Sequence, residues 1–348
     1  MRVRSWMLAD GAPRRVAIFR ALQLGDLLCA VPALRALRAA VPGAETVLVG
    51  LPWARGFVAR FARYLDGFRE FPGFPGLPER EPEIGRVPEF LAAMQAARFD
   101  LAIQLHGSGR FVNPLVALFG ARRSAGFYLP GDCCPDPETF VPWPDRGLET
   151  RRLLSLMESL GAPSQGDDLE FPLDRDDFRS LSSVGGVRDL VPGEYVCIHP
   201  GASVAQRRWP VSRFSAVARA LHGRDLQVVL TGTAAEAALT RAVAQEAAVP
   251  CLDLAGRTDL GALGALLARS RLLVCNDTGV SHVAAGLRTP SVVISTGDNP
   301  ARWAPIDGHR HRVLCRESGV DAEEVVAEAY DLLETVRANA HEAPALIA

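Results

Sequence analysis

Short apolar runs alternate with longer segments of helical periodicity along most of the chain. The runs that predict strands are VAIF (16–19), TVLVG (46–50), LAIQLHG (101–107), YVCIH (195–199), QVVLT (227–231), LLVCN (272–276) and SVVIS (291–295). Helical periodicity is found near 27–40, 53–65, 88–98, 111–119, 149–160, 212–222, 234–247, 260–269, 279–287 and 321–338. Such alternation is typical of βαβ units, in which helices cover a parallel sheet. The pattern therefore predicts an α/β protein.

The pattern also divides the chain into two series of such units. An acidic, Ser- and Gly-rich stretch at 164–194 separates them, and the second series begins directly after it. We predict two Rossmann-like, doubly wound domains, at residues 1–175 and 190–320, that face each other across a cleft. The last helix, near 321–340, has no strand after it and is free to pack back on the first domain.

Composition narrows the classes of function. The 348 residues are 48% hydrophobic and 22% charged, and the formal net charge is -2, so no basic field is available for binding nucleic acid. No apolar run is long enough to span a membrane, and the opening residues lack the apolar segment of a signal peptide. We therefore expect a cytoplasmic protein. The seven cysteines include no CxxC pair, so neither a disulfide framework nor a metal site is expected.

All 38 basic residues counted as Lys or Arg are arginine. A chain without lysine cannot form a lysine Schiff base and cannot use a P-loop lysine. The glycine fingerprints GxGxxG and GxxxxGK[ST] are absent as well. A bound anion must therefore be held by arginine side chains, hydroxyl groups or backbone N–H groups.

Ligands of open parallel sheets bind beyond the carboxyl ends of the strands, so the loops after strands carry the candidate chemistry. Gly25 and Asp26 follow the first predicted strand. As a base, Asp26 would accept the proton of an alcohol nucleophile. Alternatively, Asp26 is the N-cap of a helix that starts at Leu27. The two roles conflict in part, because a helix N-terminus stabilises the carboxylate and weakens it as a base.

The loop after YVCIH reads HPGASVAQRRWP. Gly201 permits a close approach of the backbone to a ligand, Ser203 offers a hydroxyl, and Arg207 and Arg208 offer planar groups that pair with phosphate. The alternative is a solvated basic loop. Trp209 is expected to anchor the loop by packing.

After LLVCN the string NDTGVSH leads directly into a helix. The first N–H groups of this helix, with the hydroxyls of Thr278 and Ser281, would form an anion site. His282 could bind the same phosphate or be a structural residue. The alternative is an ordinary helix start capped by Asp277 or Thr278. In the loop TGTAAE that ends the run QVVLT, Glu236 could accept hydrogen bonds from ribose hydroxyls.

The phosphate-binding features thus lie in the C-terminal half and the candidate base in the N-terminal half, which suits a transferase. Four strings resemble the ADP-heptose:lipopolysaccharide heptosyltransferases, glycosyltransferase family nine. They are LGDLLCAVPALRALRAAVPGA, HPGAS with RRWPVSRFSAVARAL, VVLTG, and LAGRTDLGALGALLARSRLLVCNDTGVSHVAAGLRTPSVVIST. The resemblance runs in order from about residue 15 to residue 303. It implies a GT-B fold and an inverting, metal-independent transfer of heptose from an ADP-sugar substrate, with no cofactor.

The resemblance also implies roles for single residues. Asp26 matches the catalytic base, and Arg207 occupies the place of a phosphate-binding lysine, where it keeps the positive charge. The expected donor-binding residues are Gly25, Ser203, Arg207, Thr231, Gly232, Glu236, Thr258, Asp277, Thr278, Gly279 and His282. The candidates for contact with the acceptor are His106, Arg110, Arg122 and Arg123.

Two Pro-rich segments of the acceptor half, 71–88 and 128–147, are predicted to be loops and match nothing in the family pattern. The acceptor could therefore be a lipopolysaccharide core, another glycan, a lipid-linked molecule or a small molecule. A lipid-linked acceptor would add peripheral contact with a membrane. Two other functions stay open: a nucleotide-sugar epimerase of the same fold, and a nucleotide-sugar-binding protein without catalysis.

Overall fold

The computed structural model describes residues 11–297, 299–316 and 318–339, and their side chains as far as residue 335. The chain divides into two compact units, Met1–Asp168 and Leu169–Ala348. Each unit contains one six-stranded sheet in which all neighbouring strands are parallel. The α/β fold class with two parallel-sheet units is thereby confirmed.

The sheet of the N-terminal unit has the strand order β3-β2-β1-β4-β5-β6. Its strands are β1 (Arg15–Phe19), β2 (Glu45–Gly50), β3 (Gly67–Glu70), β4 (Leu101–Gln104), β5 (Arg123–Tyr128) and β6 (Phe140–Pro142). Its helices are α1 (Leu24–Ala40), α2 (Ala54–Arg60), α3 (Val87–Ala96), α4 (Val112–Ala117) and α5 (Glu149–Ser159). Both faces of the sheet are covered, which explains why β1 and β4 are uninterrupted apolar runs apart from their ends. Helix α1 packs along α5.

The sheet of the C-terminal unit has the corresponding order β12-β11-β10-β7-β8-β9. Its strands are β7 (Tyr195–His199), β8 (Gln227–Leu230), β9 (Cys251–Asp253), β10 (Leu272–Asn276), β11 (Ser291–Ile294) and β12 (His311–Leu314). Its helices are α6 (Arg175–Ser183), α7 (Val211–His222), α8 (Ala237–Ala247), α9 (Leu260–Arg269), α10 (Gly279–Leu287), α11 (Pro300–Trp303) and α12 (Ala322–Asn339). Helix α12 packs on α7, β10 and β11 of this unit.

All seven predicted strands are present, but the structure adds elements in segments that we expected to be irregular. Strand β6 lies inside the predicted 128–147 loop. The sequence did not predict this strand because the three residues Phe140–Pro142 are too few to show an alternating pattern. Helix α6 lies inside the 164–194 stretch, and its sequence RDDFRSLSS has few apolar positions. Asp174 begins this helix by accepting the N–H groups of Asp176 and Asp177.

Each sheet has a topological switch point, which is the place between two neighbouring strands from which later strands are added on opposite sides. In the N-terminal unit this point lies between β1 and β4, and in the C-terminal unit it lies between β7 and β10. The loops that follow these four strands are therefore the expected positions for ligands. Within the described residues, no helix has both the length and the apolar character needed to cross a membrane.

Candidate active site

At the switch point of the C-terminal unit, one buried side chain ties the loop after β7 to the end of β10; we call this closing the switch point. Asn276, the last residue of β10, is completely buried. Its Nδ2 donates to the carbonyl oxygens of Pro200 (2.8 Å) and Gly201 (3.2 Å), and its Oδ1 accepts the backbone N–H of Trp209 at 2.9 Å. Asn276 therefore holds both ends of the loop that follows β7 against the end of β10.

The loop fixed in this way presents two of the predicted donor ligands. Ser203 and Arg207 are exposed on it. Trp209 is 2% exposed and donates from Nε1 to the Val320 carbonyl oxygen at 2.9 Å, so it anchors the loop by packing as expected. Arg208 is turned back on the loop, where its Nε donates to the Ala202 carbonyl oxygen at 3.0 Å. Of the two arginines, Arg207 is the one at the exposed side of the loop.

Glu236 lies against the same loop from the short turn that follows the neighbouring strand β8. Its Oε2 accepts hydrogen bonds from the backbone N–H (2.8 Å) and the hydroxyl (2.9 Å) of Thr233. A Cβ atom at Gly201 would lie 2.2 Å from Glu236 Oε1, so a larger residue at that position would displace the Glu236 carboxylate. The Glu236 carboxylate is thus held between two loops, with one oxygen already accepting bonds from Thr233. A ribose hydroxyl that donates to Glu236, as we expected, would have to share the carboxylate with Thr233.

Thr231, Gly232 and Thr258 belong to the loops beside Glu236. Thr231 is completely buried, and its Oγ1 lies 3.0 Å from Nδ1 of His199, the last residue of β7. Burial lowers the pKa of His199 in spite of the Glu236 carboxylate, so the imidazole is neutral near pH 7. Gly232 accepts the N–H of Gly256 at 2.9 Å, and half-buried Thr258 lies on the turn that follows.

Helix α10 begins at Gly279, as predicted, with Thr278 as the extended N-cap residue. Asp277 is joined to β11 by its N–H, which donates to the Ile294 carbonyl oxygen at 2.9 Å. Ser281 is completely buried, and its hydroxyl donates to the Thr278 carbonyl oxygen at 2.7 Å. The expectation that this hydroxyl contributes to an anion site is therefore wrong. His282 is 4% exposed, one turn into the helix.

In the N-terminal unit, Asp26 lies within α1. The helix begins at Leu24, three residues earlier than predicted, and Gln23 is the N-cap residue. Asp26 Oδ2 accepts the backbone N–H of Gln23 at 3.1 Å. Our alternative of an N-cap at Asp26 is therefore corrected, because the carboxylate caps from the third helical position. Gly25 is buried in the same turn.

A buried arginine lies behind Asp26. Arg20 follows β1 directly and is completely buried. Its guanidinium donates to the carbonyl oxygens of Asp26 and Leu105 and, at 3.3 Å, to Oε1 of Glu149, which is 1% exposed. Arg20 Nη2 also lies 3.9 Å from Oδ1 of Asp26, whose side chain is 21% exposed. Asp26 is thus the one member of this ion-paired group that reaches solvent.

His106 joins the Pro-rich segment 71–88 to the switch point. Its Nδ1 accepts the Ala21 N–H at 3.2 Å, so the proton is on Nε2, which lies 3.1 Å from Glu79 Oε1. Burial alone would raise the pKa of Glu79, but the hydrogen bond from His106 outweighs it and holds that pKa below its usual value. Glu79 therefore attaches the 71–88 segment, which we expected to be an irregular loop, to His106.

The three acceptor-side arginines lie in different places. Arg110 follows β4 and forms two hydrogen bonds of 3.1 Å with the Asp132 carboxylate. Arg122 and Arg123 lie at the start of β5, where Arg123 pairs in register with Leu101. They are therefore at the edge of the sheet opposite to Asp26. The structure brings Arg110 and His106 to the carboxyl edge with Asp26 and does not bring Arg122 and Arg123 there.

Sequence reasoning missed the residues that hold these loops. Arg20, His199 and Asn276 are polar residues at or just after the ends of apolar runs, so the rule that located Asp26 would also have found them. Glu149 is 129 positions from its partner Arg20, and no sequence pattern indicates that contact. In the part of the chain with described side chains, no three His, Cys, Asp or Glu residues group as metal ligands would.

The chain was compared with family models, with other proteins and with solved structures. The family model "Glycosyltransferase family 9 (heptosyltransferase)" matches residues 148–329, just over half of the chain. Lipopolysaccharide heptosyltransferase 2 of Escherichia coli K12 is 27% identical over 312 residues, which are 84% of this chain and 85% of that protein.

Two solved structures share the fold. The crystal structure of a family 9 glycosyltransferase from Veillonella parvula has a TM-score of 0.77 and 20% identity over 92% of this chain and 97% of that one. The structure of E. coli ADP-heptose lps heptosyltransferase II has a TM-score of 0.71 and 21% identity over 93% of this chain and 99% of that one. The resemblance seen in the sequence is confirmed: the chain is an enzyme, a glycosyltransferase that belongs to family 9, the heptosyltransferases.

Proposed function

We propose that this enzyme transfers a heptose from ADP-heptose to an acceptor hydroxyl, with inversion at the anomeric carbon and without a metal ion. The names of two relatives support the donor and the sugar, since one is an ADP-heptose lps heptosyltransferase and the other a lipopolysaccharide heptosyltransferase. The observation that carries the proposal is the closed switch point of the C-terminal unit. There Asn276 fixes the Arg207 loop beside the strand that leads into α10.

The donor diphosphate is placed against Arg207 and the first N–H groups of α10. A guanidinium pairs with phosphate through two parallel hydrogen bonds, and a helix N-terminus carries partial positive charge. Both groups are preorganised where negative charge grows as the bond from the anomeric carbon to phosphate breaks. ADP leaves with that charge, so the proposed mechanism assigns no task to a metal ion. Thr231, Gly232, Glu236 and Thr258 are assigned to the nucleoside.

Asp26 is the proposed general base. It takes the proton of the acceptor hydroxyl while that oxygen forms the new bond to the anomeric carbon, opposite the departing phosphate. A single displacement of this kind inverts the configuration. Asp26 is suited to the task because its carboxylate is partly exposed while its partners Arg20 and Glu149 are buried. Since the proposed reaction uses soluble ADP-heptose, we place the enzyme in the cytoplasm.

The test is the variant Asp26→Asn, which keeps the size of the side chain and removes the base. Transfer from ADP-heptose is measured with lipopolysaccharide from E. coli lacking heptosyltransferase 2 as acceptor, and ADP affinity is measured by calorimetry. We expect kcat to fall about 100-fold or more, the scale of general base catalysis, while ADP affinity stays at the wild-type level.

Full transfer by Asp26→Asn would remove Asp26 from the mechanism. A control incubation contains donor without acceptor. If the wild-type enzyme converts ADP-heptose to a new ADP-sugar in that incubation, the activity is that of an epimerase and the proposed transfer is wrong.

A further inference from the structure

The mechanism above leaves two buried charges unused. Arg20 and Glu149 are 0% and 1% exposed, and their charged groups approach to 3.3 Å. Neither side chain can touch a substrate, because both are closed off from solvent. Placing two charges in a protein interior is costly unless both are well paired, so a pair in this position calls for a reason.

The reason that the geometry offers is Asp26. Arg20 Nη2 lies 3.3 Å from Glu149 Oε1 and 3.9 Å from Asp26 Oδ1, so one nitrogen serves two carboxylates. Arg20 Nε also donates to the backbone carbonyl oxygen of Asp26 at 2.8 Å, which fixes the turn that carries the carboxylate. The buried pair thus supports both the backbone and the side chain of the proposed base.

The charge balance of this group depends on Glu149. With all three residues ionised, Asp26, Arg20 and Glu149 carry a net charge of -1, and the group becomes neutral when Asp26 takes a proton. Without the Glu149 carboxylate the group would change from neutral to +1, and an isolated positive charge is unfavourable in a buried setting. The Glu149 carboxylate therefore keeps the charge of Arg20 balanced when Asp26 takes a proton.

Several neighbours of this group are neutral. Cys29 lies one turn after Asp26 on α1, and burial raises the pKa of its thiol to about 12, so it stays neutral at working pH. Thr150 on α5 is a neutral hydrogen-bond partner of Cys29, and the neutral N–H of Gln23 donates to Asp26 Oδ2. Among the described residues, Asp26 forms an ion pair with Arg20, and Arg20 forms one with Glu149 as well.

We propose that Glu149 is a positioning residue for the transfer reaction: through Arg20 it holds Asp26 in place and balances the charge of Arg20, so that Asp26 remains able to accept a proton. This inference rests on the proposed role of Asp26 as the base.

The test is Glu149→Gln, which keeps the shape and an oxygen for Arg20 but removes the charge. Transfer from ADP-heptose to lipopolysaccharide is followed as a function of pH. We expect kcat to fall about 3- to 10-fold, with an unchanged KM for ADP-heptose, and the acid limb of the pH–rate profile to move about one pH unit lower. The matched control is Glu158→Gln, an exposed glutamate on the same helix, which should leave the profile unchanged.

A double variant, Arg20→Met with Glu149→Met, separates charge balance from packing. Because both charges are gone, proton uptake again changes the group from -1 to neutral, and the acid limb should return toward its wild-type position. Glu149→Gln with an unmoved acid limb, or a double variant whose limb stays displaced, would overturn the inference. If Glu149→Gln does not fold, judged by its melting curve, the position of the limb in the double variant decides alone.

The outcome for Asp26→Asn keeps the two proposals apart. If that variant is inactive while Glu149→Gln has a wild-type profile, only the role of Glu149 is wrong. If Asp26→Asn is fully active, the base assignment itself is wrong, whatever Glu149 does.

Discussion

The two units have corresponding strand orders, yet their switch points are closed by different chemistry. In the C-terminal unit a single neutral side chain, Asn276, binds three backbone groups. In the N-terminal unit Arg20 binds two backbone carbonyl oxygens and a carboxylate, and His106 binds a backbone N–H and a carboxylate. The carboxylates are 129 and 27 positions away along the chain.

This difference matches what each half of the enzyme is proposed to bind. In the C-terminal unit a neutral amide holds the loop to which the diphosphate binding is assigned, and exposed Arg207 lies on that loop. In the proposed mechanism, the Glu149 carboxylate balances the charge of Arg20 in the N-terminal unit while Asp26 takes a proton from a neutral hydroxyl. The family match begins at residue 148, so it includes Glu149, the partner of Arg20, as well as most of the C-terminal unit.

The largest expected effect within this comparison is that of Asn276→Ala. The substitution leaves the N–H of Trp209 and two buried carbonyl oxygens without their partner, which should lower the free energy of unfolding by about 3 kcal/mol or more. Urea denaturation measures the loss. The matched variant in the N-terminal unit is Asn113→Ala, whose half-buried amide makes two hydrogen bonds and should cost less. Equal losses would mean that the complete burial of Asn276 and its third hydrogen bond add nothing to its contribution.

A smaller, pH-dependent effect is expected for Glu79→Gln. The folded state holds the pKa of Glu79 below its usual 4.5, so its stabilisation is complete above that pH and is lost as the pH falls through the folded value. Wild type should be more stable than the variant by about 1 kcal/mol at neutral pH, the scale of a hydrogen bond, and the two should converge in acid. Melting curves across pH test this, with exposed Glu81→Gln as the control. A constant difference at every pH would contradict it.

The smallest effect is expected for Arg110→Ala. Arg110 and Asp132 form two hydrogen bonds, but their side chains are 59% and 30% exposed, and solvent weakens such pairs. The melting temperature of the variant should therefore equal that of wild type at ordinary ionic strength. A clear loss of stability would show that the 128–147 segment depends on this pair, and that exposed charges as well as buried ones shape the N-terminal unit.

Much of the C-terminal site could be predicted from the sequence because its determinants are local. Thr233 and Glu236 lie three positions apart and form a capping box, and Thr278 and Gly279 mark the start of α10 at the predicted residue. Capping and hydrogen bonding within a few residues follow from backbone geometry alone. Even there, the buried Ser281 hydroxyl was misassigned, since its commitment to the Thr278 carbonyl depends on how the first turn packs.

Apolar periodicity and helix signals act over a few residues, so they were enough to predict seven of the strands, the two-unit plan and the loops in which Asp26 and Arg207 lie. Which distant groups surround Asp26 depends instead on how the elements pack. Glu149 reaches Arg20 because α5 packs along α1, and Glu79 reaches His106 because its segment folds over the end of β4. Such contacts arise from packing between elements and leave no periodic trace in the sequence.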